Sequence, residues 1–171
     1  IILCQTDPNA QPPYRGQSLF LAEKGMPGLD VEKLHGKMGI RPCITGSLSF
    51  DNLRVPENNL VGELNRGFYY ALELFGGTRI TIAAQAVGIA QGAFERAFQY
   101  AKNRKQFGRP IIDFQGISFK LAEMHMKIEA ARLLTYKAAW LYDQGKVDPV
   151  ATSTAKAYAS RVAMEVTDEA I

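Results

Sequence analysis

Reactive side chains are scarce in this sequence: only two cysteines and two histidines occur among 171 residues. Cys4 and Cys43 are not in C-x-x-C spacing, which argues against a zinc ribbon or a dithiol redox motif. Without a secretory pattern at the visible N-terminus, reduced thiols in an intracellular setting are expected. His125 and Glu129 stand four apart on a helical stretch, but no further Cys, His or Asp ligand accompanies them, so no metal site is expected. No serine lies in a G-x-S-x-G elbow, and neither cysteine has an evident activating base. "HGKMGI" has the spacing of neither a Walker A loop nor a G-x-G-x-x-G turn. No run reaches the roughly 18 apolar residues of a membrane span. Twenty basic against 17 acidic residues give +3, too little to imply nucleic acid as a partner. Hydrolase, thiol-redox, metal and nucleic-acid chemistry are all left without support.

What is present divides near residue 62. Before it, short apolar runs alternate with turn residues: "IILCQT" stops at "DPNAQPP", "SLFLAEK" at "GMPG", and "SLSFDNLRV" at "PENN". Leu48 and Phe50 alternate with serines, which predicts a half-buried strand broken near Asp51. These strands are too few to close a sheet, so partner strands are expected elsewhere in a longer protein. The same expectation follows from a start without methionine and an end within a helical pattern.

After residue 62 the period becomes helical. "GFYYALELFGG" predicts a short helix stopped by Gly76 and Gly77. Ile80, Ala83, Val87, Ala90, Phe94, Phe98 and Ala101 mark the buried stripe of a long one. Gly88 and Gly92 within that helix would let another backbone approach closely. A second long helix is predicted from about Phe114 to Gln144, with Leu121, Met124, Ile128, Ala131, Leu134, Ala138 and Leu141 inward and Gly145 as its C-cap. A third starts at Asp148 as N-cap with Pro149 in its first turn. The expected fold class is α+β: a β-rich piece followed by an antiparallel helical bundle.

Between the two long helices lies "RKQFGRP", Arg104 to Pro110, and Lys102, Arg104, Lys105 and Arg109 place four cations within eight residues. A guanidinium fork matches a phosphate bidentately, and a neighbouring amide and aromatic ring can add polar and ring contacts to a nucleotide. Cations at a helix C-terminus are also stabilised by the helix dipole with no ligand at all. Local physics leaves both readings open and favours the cap.

The surrounding sequence carries a resemblance. "YAKNRKQFGRPIIDFQGISFKLAEM", Tyr100 to Met124, closely resembles the segment joining two long helices in the C-terminal domain of acyl-CoA dehydrogenases, with the pattern Y-x-x-x-R-x-x-F-G-x-x-[ILV]-x-x-x-Q. "KMGIRPCITGSLSFDNLRVPENNLVGE" and "GTRITIAAQAVGIAQGAFERA" resemble, in the same order, the end of that family's β-domain and the helix that follows. The resemblance implies residues 1–62 as the C-terminal half of a barrel-like middle β-domain. It implies residues 63–171 as an incomplete, up-and-down four-helix-bundle C-terminal domain. It also implies FAD as cofactor, with Arg104 on its pyrophosphate across a subunit interface, Gln106 adding a polar contact, Phe107 packing on the cofactor, and Phe114 and Gln115 contacting its adenosine portion. Arg109, Lys102 and Lys105 receive no such role and are expected as solvent-exposed charges.

On the substrate side the resemblance implies that Thr78 and Arg79, in the turn "FGGTR", frame an acyl-CoA thioester. Arg79 could equally be a structural ion-pair former. The implied reaction is α,β-dehydrogenation: a glutamate removes the α-proton while the β-hydrogen moves as hydride to flavin. That glutamate is expected beyond Ile171, since Thr78 stands where some members place it and Glu73 and Glu95 match no family base. The implied assembly is a homodimer or homotetramer sharing FAD, with an electron-transfer flavoprotein or similar acceptor, in the cytoplasm or, in a eukaryote, the mitochondrial matrix. An acyl-CoA oxidase, a flavin monooxygenase, and a non-catalytic binding or assembly subunit are the alternatives on the same scaffold.

Overall fold

A computed structural model describes residues 1–171, which form two compact units, Ile1–Ala71 and Leu72–Ile171. In the first unit, β1 (Ile2–Gln5), β2 (Gln17–Phe20) and β5 (Leu60–Val61) form an antiparallel sheet in the order β1-β2-β5, with Cys4 opposite Ser18. Ser18 is fully buried, and a buried hydroxyl needs partners. It has them: its oxygen lies 2.7 Å from the Thr6 hydroxyl and accepts the Asn65 N–H at 2.7 Å. A Cβ on Gly67 would stand 2.6 Å from the Ser18 carbonyl carbon, so only glycine lets the chain pass here. Partial burial also pushes the Cys4 thiol above its ordinary pKa.

β3 (Leu29–Lys33) and β4 (Gly46–Phe50) form a separate two-stranded ribbon with Val31 opposite Leu48. β3 was not among the expected strands: Leu29 and Val31 do alternate with Asp30 and Glu32, but the run is only five residues long and three of them are charged. β4 ends where the break near Asp51 was expected, and Asn52 takes a positive φ of 49°. The expected half-burial of β4 is corrected: all five of its residues are exposed. A two-stranded ribbon has no second layer of its own to cover Leu48 and Phe50.

The helices are α1 (Gly67–Asn103), α2 (Gln115–Asp143) and α3 (Pro149–Glu169). Their stripes merge into one core containing Ala83, Ala90, Ile128, Ala131, Ala155 and Val166, each fully buried. The expected helix stop at Gly76 and Gly77 is corrected, because α1 runs straight through both. These glycines instead make room. A Cβ on Gly76 would lie 2.8 Å from Val147 Cγ1, and one on Gly77 3.1 Å from the Tyr142 hydroxyl. The α2–α3 corner packs into the gap, and that packing outweighs the roughly 1 kcal/mol each glycine costs a helix. At Gly88 the opposite holds, since no other group comes within 4 Å of a built Cβ, so no backbone approaches there.

Local signals fix the remaining ends. Asp148 Oδ1 accepts the N–H groups of Val150 at 2.8 Å and Ala151 at 3.2 Å, satisfying two donors at the start of α3. Gly145, at φ 71°, closes α2, with the Lys146 N–H donating to the Leu141 carbonyl at 2.9 Å. Arg132 ties α2 to α1 by donating from Nη2 to Gln91 Oε1 at 2.8 Å while its Nε meets Glu129 Oε1 at 3.0 Å. Lys120–Glu169 and Lys127–Glu165 pair α2 with α3 at 2.5 and 2.8 Å.

Ile128→Ala should cost about 2–5 kcal/mol, since it empties a fully buried position. Asp148→Ala should cost about 1 kcal/mol. Urea denaturation ranks them, and a capping loss as large as the core loss would contradict the packing described.

Candidate functional site: a basic hairpin between two long helices

The sequence from Arg104 to Pro110 is more than a helix stop. α1 ends at Asn103, and the Arg104 N–H makes one last helical bond to the Tyr100 carbonyl at 2.8 Å. Lys105–Gln106 (β6) then pairs antiparallel with Arg109–Pro110 (β7), Gln106 opposite Arg109. The Ile111 N–H donates to the Arg104 carbonyl at 2.8 Å and closes the neck. Phe107 and Gly108 form a two-residue loop at φ 51° and 80°, the double positive φ of a type I′ hairpin. The glycine read as a helix terminator is therefore the second residue of a hairpin turn, five residues past the helix end.

Phe107 is the anomaly. A left-handed backbone costs a side-chain-bearing residue on the order of 1–2 kcal/mol, and turns of this type favour Asn or Asp at this position. Its side chain recovers little by burial, being 93% exposed. Its ring meets Phe114 edge-on, centroids 6.2 Å apart at 73°. Phe114 in turn lies beneath the Arg109 guanidinium, 4.1 Å from ring centroid to carbon, within cation–π range. Arg109, expected as a free solvent charge, thus braces the hairpin against the start of α2. Lys102 lies 5.5 Å over the Phe98 ring, while Lys105 has no ring or acidic partner.

Electrostatically the hairpin is unbalanced. The three ion pairs of the chain involve Lys120, Lys127 and Arg132, leaving Arg104 and Lys105 exposed without an acid. Gln106 and Gln115 are exposed too, and Phe114 is half-buried as the N-cap residue of α2. The structure therefore gathers Arg104, Gln106, Phe107, Phe114 and Gln115 on one hairpin and the helix start behind it. A fork of cationic donors, free amides and an open ring suit the pyrophosphate and ring system of a dinucleotide. Beside them Phe94, Phe98, Ile112, Ser118, Leu121 and His125 line a groove of about 300 Å³. His125 packs on Phe94 at 5.8 Å and Glu129 is engaged by Arg132, so these two residues have partners other than a metal.

Thr78 and Arg79 lie elsewhere. They sit inside α1, which corrects the expected turn, and 25 residues of continuous helix put them about 37 Å from Arg104. Thr78 is exposed, its hydroxyl donating weakly to the Phe75 carbonyl at 3.5 Å. Arg79 is half-buried and forms no ion pair within this chain. Two candidate sites thus stand at separate stations of one rigid helix. The sequence reading missed the Arg109–Phe114 contact; the signal was the two-residue spacing "FG" between Gln106 and Arg109, which sets the hairpin register once a turn is recognised.

A helical domain bearing an exposed, cofactor-sized basic hairpin defines a class of protein, and comparison with known proteins supplies the family. Residues 65–171 match the acyl-CoA dehydrogenase C-terminal domain. The short-chain-specific acyl-CoA dehydrogenase of Megasphaera elsdenii is 48% identical over 156 residues, covering 91% of this chain and 41% of that protein. A solved chain from work on the electron transferring flavoprotein of Acidaminococcus fermentans and flavin-based electron bifurcation is 47% identical, with TM-score 0.92 over 99% of this chain and 44% of its own. PigA, solved with FAD and proline, is 30% identical with TM-score 0.95, covering 100% of this chain and 44% of its own. The chain belongs to the acyl-CoA dehydrogenase family, and it spans 41% of the length of the curated relatives it matches first.

Phe107→Asn should raise thermal stability by up to about 1 kcal/mol, since it relieves the turn and exposes nothing new. Thermal denaturation checks this, and a clear loss would show that the exposed ring supports the fold itself.

Proposed function

We propose that this chain is the cofactor- and substrate-facing part of a subunit of an FAD-dependent acyl-CoA dehydrogenase, which converts an acyl-CoA thioester to the 2-enoyl-CoA. The observation that carries it is the hairpin: an unpaired Arg104 beside a strained and open Phe107, a costly arrangement whose return inside the chain is one edge contact with Phe114. In this reading the Arg104 fork holds the FAD pyrophosphate, Gln106 donates a further hydrogen bond, and Phe107 packs on the cofactor. Phe114 and Gln115 face its adenosine part, while Arg109 keeps the Phe114 ring in place. Bound FAD supplies the hydride acceptor. Thr78 and Arg79 orient the thioester at the other station of α1, and the general base comes from outside this chain.

The separation of about 37 Å along α1 supports sharing between subunits, with one chain's hairpin serving a neighbour's FAD in a dimer or tetramer. The work in which the Acidaminococcus chain was solved supports an electron-transfer flavoprotein as acceptor. Residues 1–62 then complete a barrel-like middle domain and 63–171 a four-helix bundle, with further segments of the full-length protein. A cytoplasmic or, in a eukaryote, mitochondrial-matrix setting fits that role.

Arg104→Ala in the full-length protein should weaken FAD binding by about tenfold or more, the loss of a charge-assisted bidentate contact. Thermal stability of the apoprotein should hold, because the side chain is exposed and unpaired. Flavin-to-protein ratio after dialysis reads the effect, and undiminished flavin would sink the assignment.

A further inference from the structure

Of the three cations in the hairpin, Arg104, Lys105 and Arg109, only Arg109 has its head group held by another side chain. The hairpin register explains where it points. Directly opposed residues of an antiparallel pair project to the same side, so Gln106 and Arg109 share one face of the ribbon and Lys105 takes the other. Pro110 follows, and a residue before proline is held to extended backbone, which narrows the directions open to the Arg109 side chain. Its guanidinium carbon stands 4.1 Å from the Phe114 ring centroid. One face of Phe114 is therefore taken, and no purine can stack on that face while the guanidinium covers it. The outer side of the guanidinium is open by contrast, since Arg109 is exposed and has no acidic partner.

We propose that Arg109 is a further FAD-contacting residue, its guanidinium plane, backed by the Phe114 ring, receiving the purine of the cofactor. The inference rests on the reading of this hairpin as an FAD site, and it changes two roles there: Arg109 supplies the contact surface and Phe114 supports it. The chemistry suits the task. A guanidinium is planar, delocalised and weakly hydrated, and it stacks on aromatic faces. Nucleobases stack on arginine planes as they do on aromatic rings. The Phe114 ring steadies the plane from behind, and the positive charge attracts the π-face of a second ring on the outer side. A lysine at this position would keep the charge and offer no plane. Arg104 is then left for the phosphates, so the two guanidiniums of one small hairpin serve two different parts of a dinucleotide. Gln106, on the same face as Arg109, lies between these tasks.

The test uses the full-length protein stripped of flavin and titrated separately with FAD and with FMN, which carries the flavin and one phosphate but no purine. Arg109→Lys keeps the charge and loses the plane. It should weaken FAD binding by about tenfold, as far as Arg109→Ala does, while FMN affinity stays at the wild-type value. FAD binding by Arg109→Lys equal to that of the wild type overturns the proposal, because charge alone would then suffice. An equal fall for FMN also overturns it, since displacement of the whole hairpin, with Arg104 and Phe107, would weaken both flavins. Arg104→Ala distinguishes the proposal from the reading on which it rests. Weakened FAD in Arg104→Ala beside unaltered FAD in Arg109→Lys overturns the role of Arg109 alone, whereas unaltered FAD in Arg104→Ala overturns both.

Discussion

The helical unit depends on one constraint: its three long helices meet through small side chains. Nine of the 15 buried apolar residues are alanine, among them Ala83, Ala90, Ala131, Ala138, Ala155 and Ala159. Between α2 and α3 the small contacts let the two backbones approach closely, and close approach is what makes many weak dispersion contacts count. One polar link crosses between helices, Arg132 of α2 to Gln91 of α1 at 2.8 Å, while the buried Thr135 hydroxyl is satisfied within α2 by the Ala131 carbonyl at 2.8 Å.

The hairpin is anchored on both sides: Arg132 ties α2 to Gln91 of α1, and the Ile111 N–H closes the neck on the Arg104 carbonyl. It turns back within two residues, and the Arg109–Phe114–Phe107 stack fixes how the turn leans on α2. Strain at Phe107 persists because both flanking helices over-determine the loop. Residues held in sparsely populated backbone regions concentrate where a fold has a binding task, and here the strained residue is also the most exposed ring of the segment. Strain, open aromatic surface and unpaired cationic charge coincide within four residues.

Much of this was legible in the sequence where the physics was local. Asp148 with Pro149 announced the start of α3, Gly145 the end of α2, and the stripe from Ile80 to Ala101 the inner face of α1, except at Phe98, which is exposed. Failures fell where the deciding contact was distant. Gly76 and Gly77 read as a stop because glycine is a poor helix former, yet their partners Val147 and Tyr142 come from a corner some 65 residues away. The hairpin was hidden because Phe replaces the Asn or Asp that signals such turns, and Gly108 was credited to helix termination. β3 escaped because its alternation, Leu29 and Val31 between charges, is too short to stand out without its pairing with β4. For the candidate site, the residue types of "RKQFGRP" pointed to anion recognition but could not outweigh dipole capping. Collinear resemblance tipped that balance, and the structure added the geometry, a free guanidinium and a braced ring.

The length of α1 links these observations. A continuous helix cannot fold back, so Arg79 and Arg104 are held apart by the same rod that each depends on for position. A single compact ligand cannot touch both. The outward hairpin, at the far end of that rod, exposes groups that solvent does not reward, through strain and unpaired charge.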